Sequence, residues 1–190
     1  MKESRRVSMT KTLLRDSLLE LMHKKPLSKI TIKEICENAD INRSTFYSHY
    51  SDQFALCEEI ENDTISRTGE YLEKVSKDKT KVDLLTDYLR YIKKNGRLLR
   101  ALLVSGNDNS FKLKFLEISV SKLVEADSHE NFSEADKDYI FRYMFQGALS
   151  TVERWIENEF DKSPAEMSRL IISLIPSLTE VQRKMVKLKG

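Results

Sequence analysis

The chain reads as an all-α protein of about nine helices: a three-helix N-terminal head carrying a helix-turn-helix, then a C-terminal helical bundle. Three observations lead there. Of the 190 residues 33% are charged, while only 5 are Gly and 3 are Pro, a mix that favours helices over sheets. Apolar residues recur at helical spacing, punctuated by helix-start signatures. The stretch 31–56, TIKEICENADINRSTFYSHYSDQFAL, holds two short helices around a tight turn, followed by a third helix start.

The first helix runs from Met9 to Lys24, with apolar residues at 14, 18, 21 and 22 on one face, and Pro26 ends it. Leu27 to Ile30 bridge to Thr31-Ile32-Lys33-Glu34, which has the form of a capping box: the Thr hydroxyl and the Glu carboxylate each satisfy a free amide. Asp40 stands at the turn and tolerates a left-handed backbone. Asn42 is the N-cap of the next helix, with Arg43 at its first position. Ile35, Cys36, Ala39, Ile41, Phe46 and Tyr50 close a small core, leaving Lys33, Arg43, Ser44, Thr45, Tyr47 and His49 to point outward. Ser51 is the expected cap of a longer helix carrying Leu56, Cys57, Ile60, Ile65 and Leu72.

Five more helices are expected beyond residue 75. One starts at Thr80-Lys81-Val82-Asp83 and reaches Asn95-Gly96; a short one spans Arg97 to Val104; another covers Ser110 to Ala126. Ser133 caps a long helix from 134 to about 159, and Ser163-Pro164-Ala165-Glu166 is a second capping box with proline in its first turn. Pro176 kinks or ends that last helix near Ser173. The domain division that follows is a head over 1–56, a linker helix over about 51–74, and a bundle over 75–190.

Charge is uneven. Residues 1–50 hold ten Lys or Arg against six Asp or Glu, a balance of +4, while the whole chain carries +2. A basic head on a mildly acidic body suits a protein whose head meets a polyanion. Exposed bases, hydroxyls and an aromatic on a compact helix pair are the groups a major-groove reader uses.

These residues resemble the DNA-binding domain of the tetracycline-repressor (TetR/AcrR) family of bacterial transcription factors. The matching positions are Thr31, Ile35-Cys36, Ala39-Asp40-Ile41, Ser44-Thr45-Phe46-Tyr47, His49-Tyr50 and Leu56, within about residues 9–60. Two departures stand out: Asp40 replaces the family's turn glycine, and Gln53 stands where a phosphate-contacting lysine is usual. The resemblance implies a DNA face made of Thr31, Lys33, Arg43, Ser44, Thr45, Tyr47 and His49. Arg43 is the candidate for a bidentate contact to guanine, and Thr31, Lys33 and Tyr47 the candidates for phosphate. It further implies a homodimer on a palindromic double-stranded operator, joined through the last two helices, with Leu149, Val152, Trp155, Leu170 and Leu174 as interface candidates. The same leucines and tryptophan serve equally as intrachain core. A repressor released by a small-molecule effector is the expected mode; an activator governed by a protein partner, or an interaction protein that has lost DNA binding, are the alternatives. Tyr88, Tyr91, Phe111, Phe115, Tyr139, Phe141, Tyr143 and Phe145 lie where the family takes effectors, yet aromatics at this spacing also fill ordinary cores, so no ligand-binding residue is assigned.

Other chemistries find no footing. The three histidines, His23, His49 and His129, are isolated, and no spacing of His or Cys suggests a metal. There is no Gly-rich phosphate loop and no nucleophile elbow, so no catalytic residue and no cofactor is expected. Cys36 and Cys57 read as core thiols of a reducing compartment rather than a redox pair. No apolar run reaches the ~20 residues of a membrane span and no signal peptide is recognised, so the expected location is the cytoplasm.

Overall fold

The structure, a computed structural model, describes residues 5–76, 79–106, 109–124 and 134–174. Among them lie nine α-helices and no strand: α1 (Arg5–Met22), α2 (Ile32–Ala39), α3 (Arg43–Tyr47), α4 (Gln53–Val75), α5 (Lys81–Lys94), α6 (Gly96–Leu99), α7 (Asn109–Val124), α8 (Glu134–Glu157) and α9 (Pro164–Leu174). A single 3-10 turn, Leu27–Lys29, joins α1 to α2. The expected cap of α8 at Ser133, the break at Pro176 and everything after Leu174 fall outside the described residues.

Contacts divide the chain into two compact units, and neither is continuous in sequence. The first is Met1–Thr68 with Asn95–Lys114; the second is Gly69–Lys94 with Phe115–Gly190. The linear cut expected from the sequence, 1–56 against 75–190, therefore separates residues 95–114 from the head residues they pack with.

In the first unit α1 buries Leu14, Leu18, Leu19 and Met22, and α2 lays Ile35, Cys36 and Ala39 against it. A buried hydrogen bond ties the pair: the Ser17 hydroxyl donates to the Ile35 carbonyl at 2.8 Å. Leu56, Cys57 and Ile60 of α4 and Leu99, Leu102, Leu103 and Phe111 of the later segment complete this core. After α6 the helix widens into a π-turn over Arg100–Val104, in which the Ser105 amide bonds the Arg100 carbonyl at 3.0 Å. Gly106 follows, where an added Cβ meets the Leu102 carbonyl oxygen at 2.4 Å, so no side chain fits this close approach.

In the second unit α5 and α9 pack face to face, joined by a buried bond of 2.8 Å between the Thr86 and Ser168 hydroxyls. Ser163 and Glu166 form the expected capping box at the start of α9: the Ser163 amide donates to the carboxylate at 2.8 Å and the Glu166 amide to the Ser163 hydroxyl at 3.2 Å. Tyr71 stacks on Tyr91 at 4.5 Å. Tyr88 is buried with its hydroxyl on Ser119, and burial pushes that phenol up, holding it protonated. Two of the aromatics expected in this core are outside it: Tyr139 is 73% and Tyr143 82% exposed.

Candidate nucleic-acid interface

The starts of both helices of the helix-turn-helix are capped by residues two or three positions away. Thr31 and Glu34 make both bonds of the capping box: the Glu34 amide donates to the Thr31 hydroxyl at 3.3 Å, and the Thr31 amide to the Glu34 carboxylate at 2.9 Å. Lys25 adds an ion pair to the same carboxylate at 2.5 Å. The hydrogen bond from Lys25, then those from Thr31, lower the Glu34 carboxyl to about 2. At the other end of α2 Asp40 takes φ 52°, the left-handed conformation expected of it, and the Ile41 amide closes the turn on the Cys36 carbonyl at 2.9 Å. The next helix starts two residues later, at Arg43. Its cap, Asn42, accepts from the Ser44 amide at 2.9 Å.

Burial sorts the side chains as the spacing foretold, with one change. Ile35, Cys36, Ala39, Phe46 and Tyr50 are buried, whereas Ile41 is only half-buried. Burial raises the Cys36 thiol, and neither Cys36 nor Cys57 is in a disulfide. Phe46 is fully enclosed and pins α3 to the core; Tyr47, beside it on the chain, is 58% exposed with its ring edge-on to Phe46 at 5.8 Å.

Of the seven residues assigned to the DNA face, Thr31, Lys33, Arg43, Ser44 and Tyr47 are exposed, and Thr45 and His49 half-buried. They are not equally available. The Thr31 hydroxyl donates to the Glu34 carboxylate at 2.8 Å, and the Ser44 hydroxyl donates to the Asn42 side chain at 2.9 Å. A hydroxyl has one hydrogen to give, so both donors are already spent on caps and what remains is acceptor capacity. A phosphate offers only acceptors, which leaves Thr31 without a hydrogen for it unless the cap opens. Lys33 pairs with Glu37 at 3.7 Å, both side chains more than 60% exposed, an arrangement that contributes little and yields readily to a phosphate. Arg43 has no ion pair among the described residues and presents its full fork of donors.

The start of α4 corrects one expectation. Asp52, not Ser51, is the cap, accepting from the Ala55 amide at 2.8 Å, and the helix begins at Gln53, which is half-buried. A groove of about 700 Å³ opens beside it, walled by Asp52, Glu58 and Glu61 against Lys114 alone among its charged residues. Three carboxylates to one ammonium give this groove a negative charge balance, which disfavours a phosphate backbone. Two side chains with a bearing on the recognition helix escaped the sequence reading: Glu59 and Lys11, which meet at Tyr50. Nothing local signals them, because they lie 9 and 39 positions from it.

The interface candidates divide by burial. Trp155 is fully enclosed, its indole N–H on the Lys162 carbonyl at 3.0 Å and its ring against Phe160 at 4.9 Å; Leu149 and Val152 are likewise buried within their own chain. Leu170 and Leu174 are 37% and 63% exposed. Groups of His, Cys, Asp and Glu fit to hold a metal ion are absent among the described residues, and no helix there is long and apolar enough to cross a membrane.

Residues 79–177 match the family described as the TetR-type transcriptional regulator C-terminal region. The uncharacterized HTH-type transcriptional regulator YxbF of Bacillus subtilis (strain 168) is 20% identical over 169 residues, covering 85% of this chain; the chain spans 43% of that relative's length. Among solved structures, a TetR transcriptional regulator from Streptococcus agalactiae 2603V superposes with a TM-score of 0.69 at 22% identity, over 90% of this chain and 96% of that one. The transcriptional regulator FadR from Bacillus subtilis, solved in complex with stearoyl-CoA, gives 0.65 at 15% identity, over 87% and 97%.

Proposed function

Since the chain belongs to the TetR family of transcriptional regulators, we propose that it is a repressor binding a palindromic double-stranded operator as a homodimer. The observation that carries the reading is the capped helix-turn-helix with Arg43 and Tyr47 exposed on a helix whose inner face is held by Phe46. Arg43 reads a base edge, its guanidinium matching the paired acceptors of guanine. Tyr47 and Lys33 hold phosphate and set the register. Ser44 and Thr45 contribute as acceptors, and His49 flanks them. Thr31 serves as the cap of α2 rather than as a phosphate donor.

One α3 of five residues reads few bases, so a two-fold partner is needed to span a second half-site about 34–36 Å away. The exposed apolar side chains of α8 and α9, Tyr139, Tyr143, Leu170 and Leu174, are the surface we assign to that partner. Trp155, Leu149 and Val152 are buried and are left to the intrachain core. Release follows by linkage: an effector that binds better to a dimer with mismatched head spacing lowers operator affinity. The complex of a structural relative with stearoyl-CoA favours a small-molecule effector over a protein one.

Selection of bound sites from fragmented genomic DNA with the purified chain tests the reading, followed by gel-shift titration at several salt concentrations. A sequence-selective, salt-dependent shift on a two-fold symmetric site is the expected result. Binding indifferent to sequence, or none, refutes it.

A further inference from the structure

Helix α3 is too short to hold its own orientation: five residues close little more than one turn, and an isolated turn of helix is unstable in water. Its inner face is anchored by Phe46 and its start by Asn42. What aims its far end is a hydrogen bond made beyond α3 itself. The Tyr50 ring is buried, and its hydroxyl donates to Glu59 Oε1 of α4 at 3.0 Å. The same carboxylate takes the Lys11 ammonium of α1, at 3.3 Å on Oε1 and 3.2 Å on Oε2, and that ammonium also sits 5.9 Å above the Tyr50 ring.

We propose that Glu59 is a positioning residue for DNA reading, fixing the exit of the recognition helix against α1 and α4 through the hydroxyl of Tyr50. The inference rests on the DNA-binding reading above and deepens it. A phenylalanine at 50 fills the same buried space without the directional bond, so packing alone does not account for the hydroxyl. The carboxylate is only half enclosed, so the bond is made without the cost of a fully buried ion. One turn further along the same two helices Arg15 and Asp63 form a second ion pair at 2.6 Å, so Glu59 is not the sole polar tie between α1 and α4. Losing the Tyr50 bond therefore loosens the aim of α3 while leaving the α1–α4 pair closed.

The test compares the full-length chain with Tyr50→Phe, Glu59→Ala, Glu59→Gln and the Tyr50→Phe/Glu59→Ala pair. Binding is measured on the selected operator and on random-sequence DNA, and amide hydrogen exchange at His49 and residue 50 is followed in the free protein. Tyr50→Phe and Glu59→Ala should each lower the ratio of operator to random-DNA affinity by about three- to tenfold, the span of one net hydrogen bond. The double variant should lose no more than Glu59→Ala alone, because that variant already removes the acceptor of the Tyr50 hydroxyl. Glu59→Gln keeps an acceptor for the hydroxyl and should restore most of the ratio. The His49 and residue-50 amides should exchange faster in Tyr50→Phe, by a similar factor. An unchanged ratio in Tyr50→Phe, an equal loss on both DNAs, or additive losses in the double variant overturn the proposal. If the parent chain shows no operator preference, the DNA reading alone falls, and the exchange rates in Tyr50→Phe decide whether Glu59 positions the helix end.

Discussion

The Asn42 side-chain oxygen accepts from both the amide and the hydroxyl of Ser44, each at 2.9 Å. The cap that starts the recognition helix thus withdraws a hydrogen from the face that helix presents. Asn42→Ala should destabilise the protein by about 1 kcal/mol and weaken operator binding through disorder of α3. Ser44→Ala should weaken binding less than Asn42→Ala does, since its hydroxyl donor is already committed. Thermal unfolding and gel-shift titration of the two variants check the ordering.

Arg43 is the reverse case, an exposed guanidinium with no protein partner among the described residues. Arg43→Ala should remove discrimination at one operator base pair, by about 1–3 kcal/mol, while leaving salt-sensitive binding to random DNA. Affinities across a set of operators substituted at single positions measure this. Base preference unchanged at every position would move the reading role to another side chain.

Acid should act on α2 through Glu34. Its carboxyl sits near 2 in the folded chain, held there first by the Lys25 hydrogen bond and then by Thr31, against an ordinary unfolded value of about 4.3. A depressed carboxyl stabilises above its unfolded value, and that contribution is lost as pH falls from about 4.3 toward 2. Glu34→Gln should therefore flatten the fall of the melting temperature in this window and leave its shape above pH 5 alone. Melting curves of both proteins between pH 2 and 7 give the comparison.

Tyr143, 82% exposed on α8, and Leu174, 63% exposed on α9, carry the proposed dimer surface. Tyr143→Glu places a charge in that surface and should raise the fraction of monomer at micromolar concentration, with loss of operator affinity in step. Sedimentation equilibrium reads the first effect. A dimer of undiminished strength in both Tyr143→Glu and Leu174→Glu would place the interface elsewhere.

What the sequence decided by itself is local. The capping boxes at Thr31 and Ser163, the left-handed Asp40 and the Asn42 cap are each settled within about four residues, where the groups that satisfy one another are chain neighbours. Their spacing carries the helix-turn-helix, and with it the family likeness. Periodicity also names a buried face, but not what covers it. Trp155 and Tyr143 share one helix; packing encloses the first and leaves the second in solvent. The grouping of residues 95–114 with the N-terminal core was equally hidden, as was the meeting of Lys11 and Glu59 with Tyr50. Hydrophobic burial is non-directional, and an ion pair between distant positions leaves no periodic trace, so only the folded chain assigns these partners.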